Sequence, residues 1–279
     1  MSTENHMEPT YPAVIVDAVF ARIADALARR STPLRVGISG LQGSGKSTLT
    51  EQLVGVALAA GHATVAASLD DFYRTRAERE ALAIRVHPLL LTRGVPGTHD
   101  VALLRSTLAA LPSASPANPV AVPRFDKGID DRADPSRWQQ VDTPPALILL
   151  EGWCVGVPAQ ADPELLQAVN ALERDEDADG RWRHHVNQSI RDDYEPLWRS
   201  LDLLVVLLAP SFDVVVDWRD QQEDALRRIG APQAMSPDAV ARFVAHYERL
   251  SRHGLQTLPA RAELLLRLDA QRRVTPFTA

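Results

Sequence analysis

The sequence predicts an α/β fold in three layers: a mostly parallel central sheet, helices on both faces, and a helical lid or insert. Two patterns carry this expectation. Short continuous apolar runs bounded by turn residues, the mark of strands buried on both faces, alternate with longer segments whose apolar residues recur every three to four positions. The two kinds of segment also follow one another along much of the chain, as crossover connections between parallel strands require.

Over residues 13–30, Val16, Phe20, Ile23 and Leu27 step by four, three and four, which predicts a helix ended by Pro33. Residues 34–39 read as a short buried strand, 40–45 as a glycine-rich loop, and 47–60 as a helix stopped by Gly61. A second strand over 63–69 runs into Asp70-Asp71-Phe72-Tyr73. After the turn-rich stretch 93–100 (RGVPGTHD), Asp100 is set to cap a helix with Val101, Leu104, Leu108 and Leu111 along one face. Residues 111–123 hold four prolines and read as a loop, and the polar residues 124–138 must take their order from neighbours or ligands. Pro144-Pro145 introduces an apolar strand over 146–150 that ends at Glu151-Gly152-Trp153. Two helical stretches flank an acidic run over 173–179, which reads as a solvated turn. Strands are expected again at 202–208 and 263–268, with helices over 211–229 and 236–253 between them. No repeat or break in composition divides residues 13–279, so they read as one domain behind a loose, flexible tail of residues 1–12.

Composition narrows the class of function. The 279 residues are 45% apolar and 24% charged, proportions of a globular chain long enough to bury a core without staples. Cys154 is the only cysteine, so neither an intrachain disulfide nor a cysteine-based zinc site is possible. With 36 acidic and 30 basic residues the net charge is −6, which argues against a nucleic-acid partner bound through bulk charge. No apolar run approaches the ~20 residues of a membrane span, and the N-terminus lacks the order of a signal peptide. The expectation is a soluble, cytoplasmic protein acting on a small molecule, with neither a nucleic acid nor a membrane as partner.

Gly40-Leu41-Gln42-Gly43-Ser44-Gly45-Lys46-Ser47 fits G-x-x-x-x-G-K-[ST] without a gap, between a predicted strand and a predicted helix. Glycines there let successive N–H groups turn onto phosphate oxygens, and the helix entered through Ser47 and Thr48 adds its positive end. This predicts a P-loop NTPase fold and a nucleoside triphosphate, with Lys46 on the β- and γ-phosphates and the Ser47 hydroxyl on Mg²⁺. Asp70 and Asp71 close the second strand at the edge where open parallel sheets bind ligands. Side chains alternate along an extended chain, so one of the two faces the phosphates and can take a proton from an attacking hydroxyl. The other use for such residues is to cap the stretch after Tyr73. Glu151, closing a buried strand, is set near Mg²⁺ like the acid of a Walker-B strand, or else emerges into solvent. Arg219, Arg227 and Arg228 lie on one helix: they either neutralise a transferring phosphoryl group or form a solvated face, Arg219 pairing with Glu223 one turn on. Arg124, Lys127 and Arg132 either bind an anionic substrate or are surface charge, and Trp153 and Cys154 read as core or wall.

Together, GLQGSGKSTL, SLDDFY, RGVPGTHD, PRFDKGIDDR, ILLEGW and DWRDQQE resemble in order and spacing the D-glycerate 3-kinase family, over most of the chain from Leu34 onward. RGVPGTHD and EGW are more specific to that family than the P-loop is. Its wider relatives are uridine kinase, phosphoribulokinase and bacterial pantothenate kinase. In the first two a strand ends in an aspartate followed by Ser-Phe, and aligning Phe72 puts Asp70, not Asp71, at that position. The resemblance implies ATP and Mg²⁺ as cofactors, D-glycerate as acceptor, Asp70 as base and Glu151 as a holder of the metal. It implies Arg219 and Arg227 on the lid, and Tyr73, Arg93, Arg124, Lys127 and Arg132 with Asp70 around the acceptor. Only Gly128-Ile129-Asp130 separates Lys127 from Asp131, where plant members carry a longer glycine-containing insert. Two rival readings are a kinase for a nucleoside, pantothenate or sugar phosphate, and a non-catalytic nucleotide-dependent switch. A switch reading guanine would need an N/T-K-x-D element, which the sequence lacks. The one D-x-x-G, Asp177-Ala178-Asp179-Gly180, lies in the acidic run, and no LSGGQ signature occurs.

Overall fold

The structure, a computed structural model, describes residues 10–228 and 235–275. Residues 1–9 of the expected tail and Ile229 at the end of an expected helix lie outside them. In chain order the strands are β1 (Leu34–Gly40), β2 (Thr64–Ser68), β3 (Val120–Val122), β4 (Phe125–Asp126), β5 (Asp131–Arg132), β6 (Gln139–Val141), β7 (Leu147–Gly152), β8 (Leu203–Leu208) and β9 (Leu264–Arg267). Five of them form a parallel sheet in the order β2-β7-β1-β8-β9. Helices cover both its faces, which is why these strands read as unbroken apolar runs. Ile148, Leu150, Leu204 and Val206 belong to the core on one face, and Leu147, Leu149, Val205 and Leu207 to the core on the other.

The helices are α1 (Ala13–Leu27), α2 (Lys46–Ala59), α3 (Arg76–Arg85), α4 (Val101–Ala110), α5 (Ala171–Glu176), α6 (Arg181–Ser189), α7 (Glu195–Trp198), α8 (Val214–Arg228), α9 (Pro237–Ala245) and α10 (Glu248–Thr257). α1 buries Val16, Val19, Ile23 and Leu27, and α4 starts where the Asp100 carboxylate accepts from the Leu103 N–H. α3 is capped by Thr75 and Glu78 in a reciprocal capping box, so neither Asp70 nor Asp71 is needed as its cap. Among the described residues no helix is long and apolar enough to cross a membrane.

Four expectations are corrected. The stretch 10–12 is not loose throughout: Tyr11 is buried, and its backbone exchanges hydrogen bonds of 3.0 and 2.9 Å with the Gln52 amide. The stretch 111–138 is not featureless, because β3 pairs with β6 and β4 with β5 in antiparallel ribbons of two or three residues a strand, too short to show a period. The expected helix over 236–253 is two helices, α9 and α10, broken at His246 and Tyr247, with Tyr247 turned edge-on to Trp153 at 4.9 Å. The acidic run is not a solvated turn, since Glu173 is 1% exposed and Asp177 is fully buried.

Long-range arginines account for that last burial. The Arg249 guanidinium meets both Glu173 carboxylate oxygens, at 2.7 and 2.6 Å, and Arg183 meets Asp177 at 2.9 Å. Removing one member of such a pair strands the other charge. Glu173→Ala should therefore lower the unfolding free energy by about 3–5 kcal/mol, read as a drop in the urea midpoint. Asp175→Ala, whose partner Arg174 is exposed, should leave the midpoint unchanged. Equal midpoints for both variants would return the run to solvent.

Candidate active site

Three adjacent strands deliver the site. β2, β7 and β1 lie side by side, with Ser68 opposite Glu151 and Ile38 opposite the same residue on the other flank. Their carboxyl ends carry Asp70, Glu151 and the Gly40–Thr48 loop at one edge of the sheet, where ligands of open α/β sheets bind.

The loop between β1 and α2 is held from outside. Gly43 and Gly45 have φ of +77° and +86°, and a Cβ on Gly43 would stand 2.8 Å from the Trp218 Cβ, so a side chain there is both strained and blocked. Arg272 Nε donates to the Gly43 carbonyl at 2.7 Å, and the Tyr11 hydroxyl donates to the Ser44 carbonyl at 2.8 Å. Burial pushes the Tyr11 phenol up, against the Arg272 charge, so it keeps the proton it donates. A trans peptide sets its N–H opposite its carbonyl, so tying back the Ser44 carbonyl turns the Gly45 N–H into the loop. Tyr11, Trp218 and Arg272 were missed as parts of the site. Trp218 at least lies within DWRDQQE, whereas no local pattern marks the other two.

Lys46, the first residue of α2, has its Nζ 3.9 Å from Glu151 Oε2, and the Ser47 hydroxyl donates to Glu151 Oε1 at 3.2 Å. Glu151 is buried rather than emerging into solvent. Among the described residues, its Oε2, the Ser44 hydroxyl and the Gln42 side-chain amide are buried without hydrogen-bond partners. Buried polar groups of this kind call for a partner, and these three gather around the phosphate loop, where a bound nucleotide and metal would complete them. A hydroxyl and a carboxylate oxygen are the hard donors that suit Mg²⁺, so Ser47 and Glu151 fit that ion.

Asp70 and Asp71 sit in a 3₁₀ turn after β2 and diverge. Asp70 accepts from the Tyr73 hydroxyl at 2.9 Å and from Lys127 Nζ at 2.8 Å. Burial alone would raise its carboxyl, but Lys127, with a smaller contribution from Lys46, outweighs burial and holds it well below the usual carboxylate range. Asp71 instead anchors the β4–β5 ribbon, accepting from Arg124 at 2.9 Å and from the Phe125 N–H at 3.1 Å; burial leaves its carboxyl raised.

The remaining cations divide between these centres. Arg132 donates to the Tyr73 carbonyl and to the Asp100 carboxylate, both at 3.2 Å. Arg93 pairs with Asp130, which the buried Arg79 also holds at 3.0 Å, leaving two cations on one carboxylate. Arg93 lies 5.5 Å over the Phe125 ring, beside the Asp70–Lys127 pair's ribbon. On α8, Arg219 pairs with Glu223, the i,i+4 contact that the sequence offered as its alternative role. Arg227 is engaged with Asp220, Asp224 and the Met235 carbonyl, and Arg228 with Asp224.

The RGVPGTHD segment walls the site from behind. Gly94 has φ +140°, and a Cβ on it would meet the Tyr247 hydroxyl at 2.0 Å. Its carbonyl accepts from the Trp153 indole at 2.9 Å, and Trp153 lies buried in the core on that face of the sheet. The buried Cys154 behind it has its thiol pushed up by burial and by the Asp70 charge, which makes it inert packing.

No protein-family model matches the chain. It is 36% identical over 244 residues to an uncharacterized kinase (mug58) of Schizosaccharomyces pombe, covering 84% of this chain and 85% of that one. It is 34% identical over 237 residues to the chloroplastic D-glycerate 3-kinase of Arabidopsis thaliana, covering 82% of this chain and 49% of that protein. The solved D-glycerate 3-kinase of Cryptococcus neoformans superposes with a TM-score of 0.76 at 25% identity, over 94% of this chain and 98% of that one. On this identity and coverage and the shared fold, this chain is a kinase and belongs to the D-glycerate 3-kinase family of P-loop kinases.

Proposed function

We propose that the chain transfers the γ-phosphoryl group of ATP to a hydroxyl of D-glycerate, giving 3-phosphoglycerate and ADP. The observation that carries this reading is the placement of Asp70 one strand away from Glu151 and two from the phosphate loop, paired with Lys127 from a ribbon that also carries Arg124 and Arg132. An anionic hydroxy acid is the ligand such a ribbon suits, and relatives named D-glycerate 3-kinase support the choice. In this reading the loop N–H groups and Lys46 bind the phosphates, and Ser47 and Glu151 hold Mg²⁺. When bound, that ion supplies positive charge to the β- and γ-phosphate oxygens. Asp70 accepts the proton of the acceptor hydroxyl as its oxygen attacks the γ-phosphorus; the bond from that phosphorus to the bridging oxygen breaks, and ADP leaves with the electron pair. Lys127, Arg93 and Arg132 serve the acceptor carboxylate, while Arg124 stays with Asp71 and orders the ribbon. The lid role stays with Arg219 and Arg227, each of which must leave its helix partner to take it up: Glu223 for Arg219, and Asp220 with Asp224 for Arg227.

Acceptor-dependent ADP release tests the reading across D-glycerate, glycerol, uridine, pantothenate and a sugar phosphate. Glycerol shares the terminal hydroxyls but has no carboxylate to engage Lys127, Arg93 and Arg132, so it forgoes the charge-assisted contacts that hold glycerate and should be worse by about 10²-fold or more in kcat/KM. Equal use of glycerol and glycerate, or a preference for uridine or pantothenate, overturns glycerate as the acceptor. ADP release that no acceptor stimulates would overturn the transfer itself.

A further inference from the structure

His99, inside RGVPGTHD, is 1% exposed and stacks on Tyr73 with ring centroids 4.5 Å apart, the same Tyr73 whose hydroxyl donates to Asp70. Its hydrogen bonds fix its tautomer. The Gly97 N–H donates to the Tyr194 hydroxyl oxygen at 3.1 Å, and that oxygen lies 2.7 Å from His99 Nδ1. Tyr194 is fully buried, and burial raises its phenol, so it keeps its proton. Donation to Nδ1 gives that buried proton an acceptor; with the hydrogen on Nδ1 instead, the phenol would only accept and its own proton would be stranded. Nδ1 is therefore the acceptor and Nε2 carries the hydrogen. Burial lowers the ring's pKa to about 3, against the Asp70 charge, which raises it, and with Arg74, which lowers it further; the imidazole is neutral throughout the working range.

Among the described residues His99 Nε2 is buried without a hydrogen-bond partner. A buried donor beside the Asp70–Tyr73 pair, held in one tautomer and left without an acceptor, is a group that a ligand completes. We propose that His99 Nε2–H donates a hydrogen bond to an oxygen of the acceptor substrate, fixing that substrate against Asp70, and that Tyr194 is the positioning residue that sets the tautomer. With Nδ1 occupied, the ring can only donate at Nε2, so the substrate atom opposite it is a lone-pair oxygen of a hydroxyl or carboxylate. This specificity contact rests on the reading that the acceptor binds at Asp70.

Steady-state kinetics with D-glycerate on the wild type, Asp70→Asn, His99→Phe, His99→Gln and Tyr194→Phe test it, with ¹⁵N NMR of histidine-labelled wild type alongside. His99→Phe keeps a ring against Tyr73 and deletes the donor; it should raise the acceptor KM about 10–100-fold with the KM for ATP unchanged. His99→Gln restores an N–H near the Nε2 position and should recover most of that loss, and Tyr194→Phe should fall between. The NMR signal of His99 should report the Nε2–H tautomer from about pH 5 to about pH 8 and shift when D-glycerate is added. An unchanged acceptor KM in His99→Phe with Asp70→Asn inactive would overturn this inference and leave the acceptor site standing. An Nδ1–H tautomer in the wild type would overturn it whether or not the variants fold. Wild-type turnover of D-glycerate by Asp70→Asn would overturn the acceptor site and the inference with it.

Discussion

Lys46→Ala should lower turnover by about 10²–10³-fold or more and weaken ATP binding while the chain stays folded. Lys46 opens α2 directly after the left-handed Gly45, so the loop fixes its Cα, and its ammonium lies 3.9 Å from Glu151 Oε2. The same charge lowers the Asp70 carboxyl, so it acts on both acids at this edge of the sheet. A cation between two fixed carboxylates adds little to the core, because each acid has another partner: Ser47 for Glu151, and Tyr73 with Lys127 for Asp70. Stability should therefore fall by no more than about 1–2 kcal/mol, measured by urea titration beside the kinetics and a nucleotide titration. Wild-type turnover in a folded variant would remove the phosphate role from the loop.

The parts of the site that could be read from the sequence are those whose meaning is local. The phosphate loop declares itself because its glycines, Lys46 and Ser47 must be contiguous, and Glu151 because a carboxylate closes an apolar run. Arg219 and Glu223 could be paired in advance because a helix sets residues four apart on one face. What stayed hidden depends on partners far along the chain. Glu173 and Asp177 look solvated in a run of acids, and only Arg249, 76 residues away, and Arg183 make their burial tolerable. Tyr11 looks like part of a tail until Gln52 and the Ser44 carbonyl take up its polar groups. The β3–β6 and β4–β5 ribbons are too short for alternation to register, yet they carry Lys127 to Asp70. The motif holding His99 was visible, but its tautomer depends on Tyr194, 95 residues on.

Asp70→Asn should cut kcat by about 10²–10⁴-fold with far less change in ATP affinity, since the amide keeps the shape and loses the proton acceptor. Asp71→Asn should act differently, because Asp71 holds Arg124 and the Phe125 N–H: it should loosen the ribbon and raise the acceptor KM while kcat is largely kept. A crippled kcat in Asp71→Asn with a normal one in Asp70→Asn would reverse the assignment. Lys127 adds a test by pH. A carboxyl held below its ordinary range is ionised in the free enzyme at neutral and mildly acid pH, so kcat/KM should show no acid limb from Asp70 there. A carboxylate so stabilised is also a weak base, which suits a resting state. On the proposed reading, the acceptor's own carboxylate would draw Lys127 away, leaving burial less opposed, and Asp70 would become more basic as the hydroxyl arrives. Lys127→Met imitates that departure permanently. Burial is then opposed by Lys46 and the Tyr73 hydroxyl without Lys127, the Asp70 pKa rises, and an acid limb in kcat/KM should move up in pH relative to the wild type. An acid limb that stays where the wild type has it would mean that some other group accepts the proton.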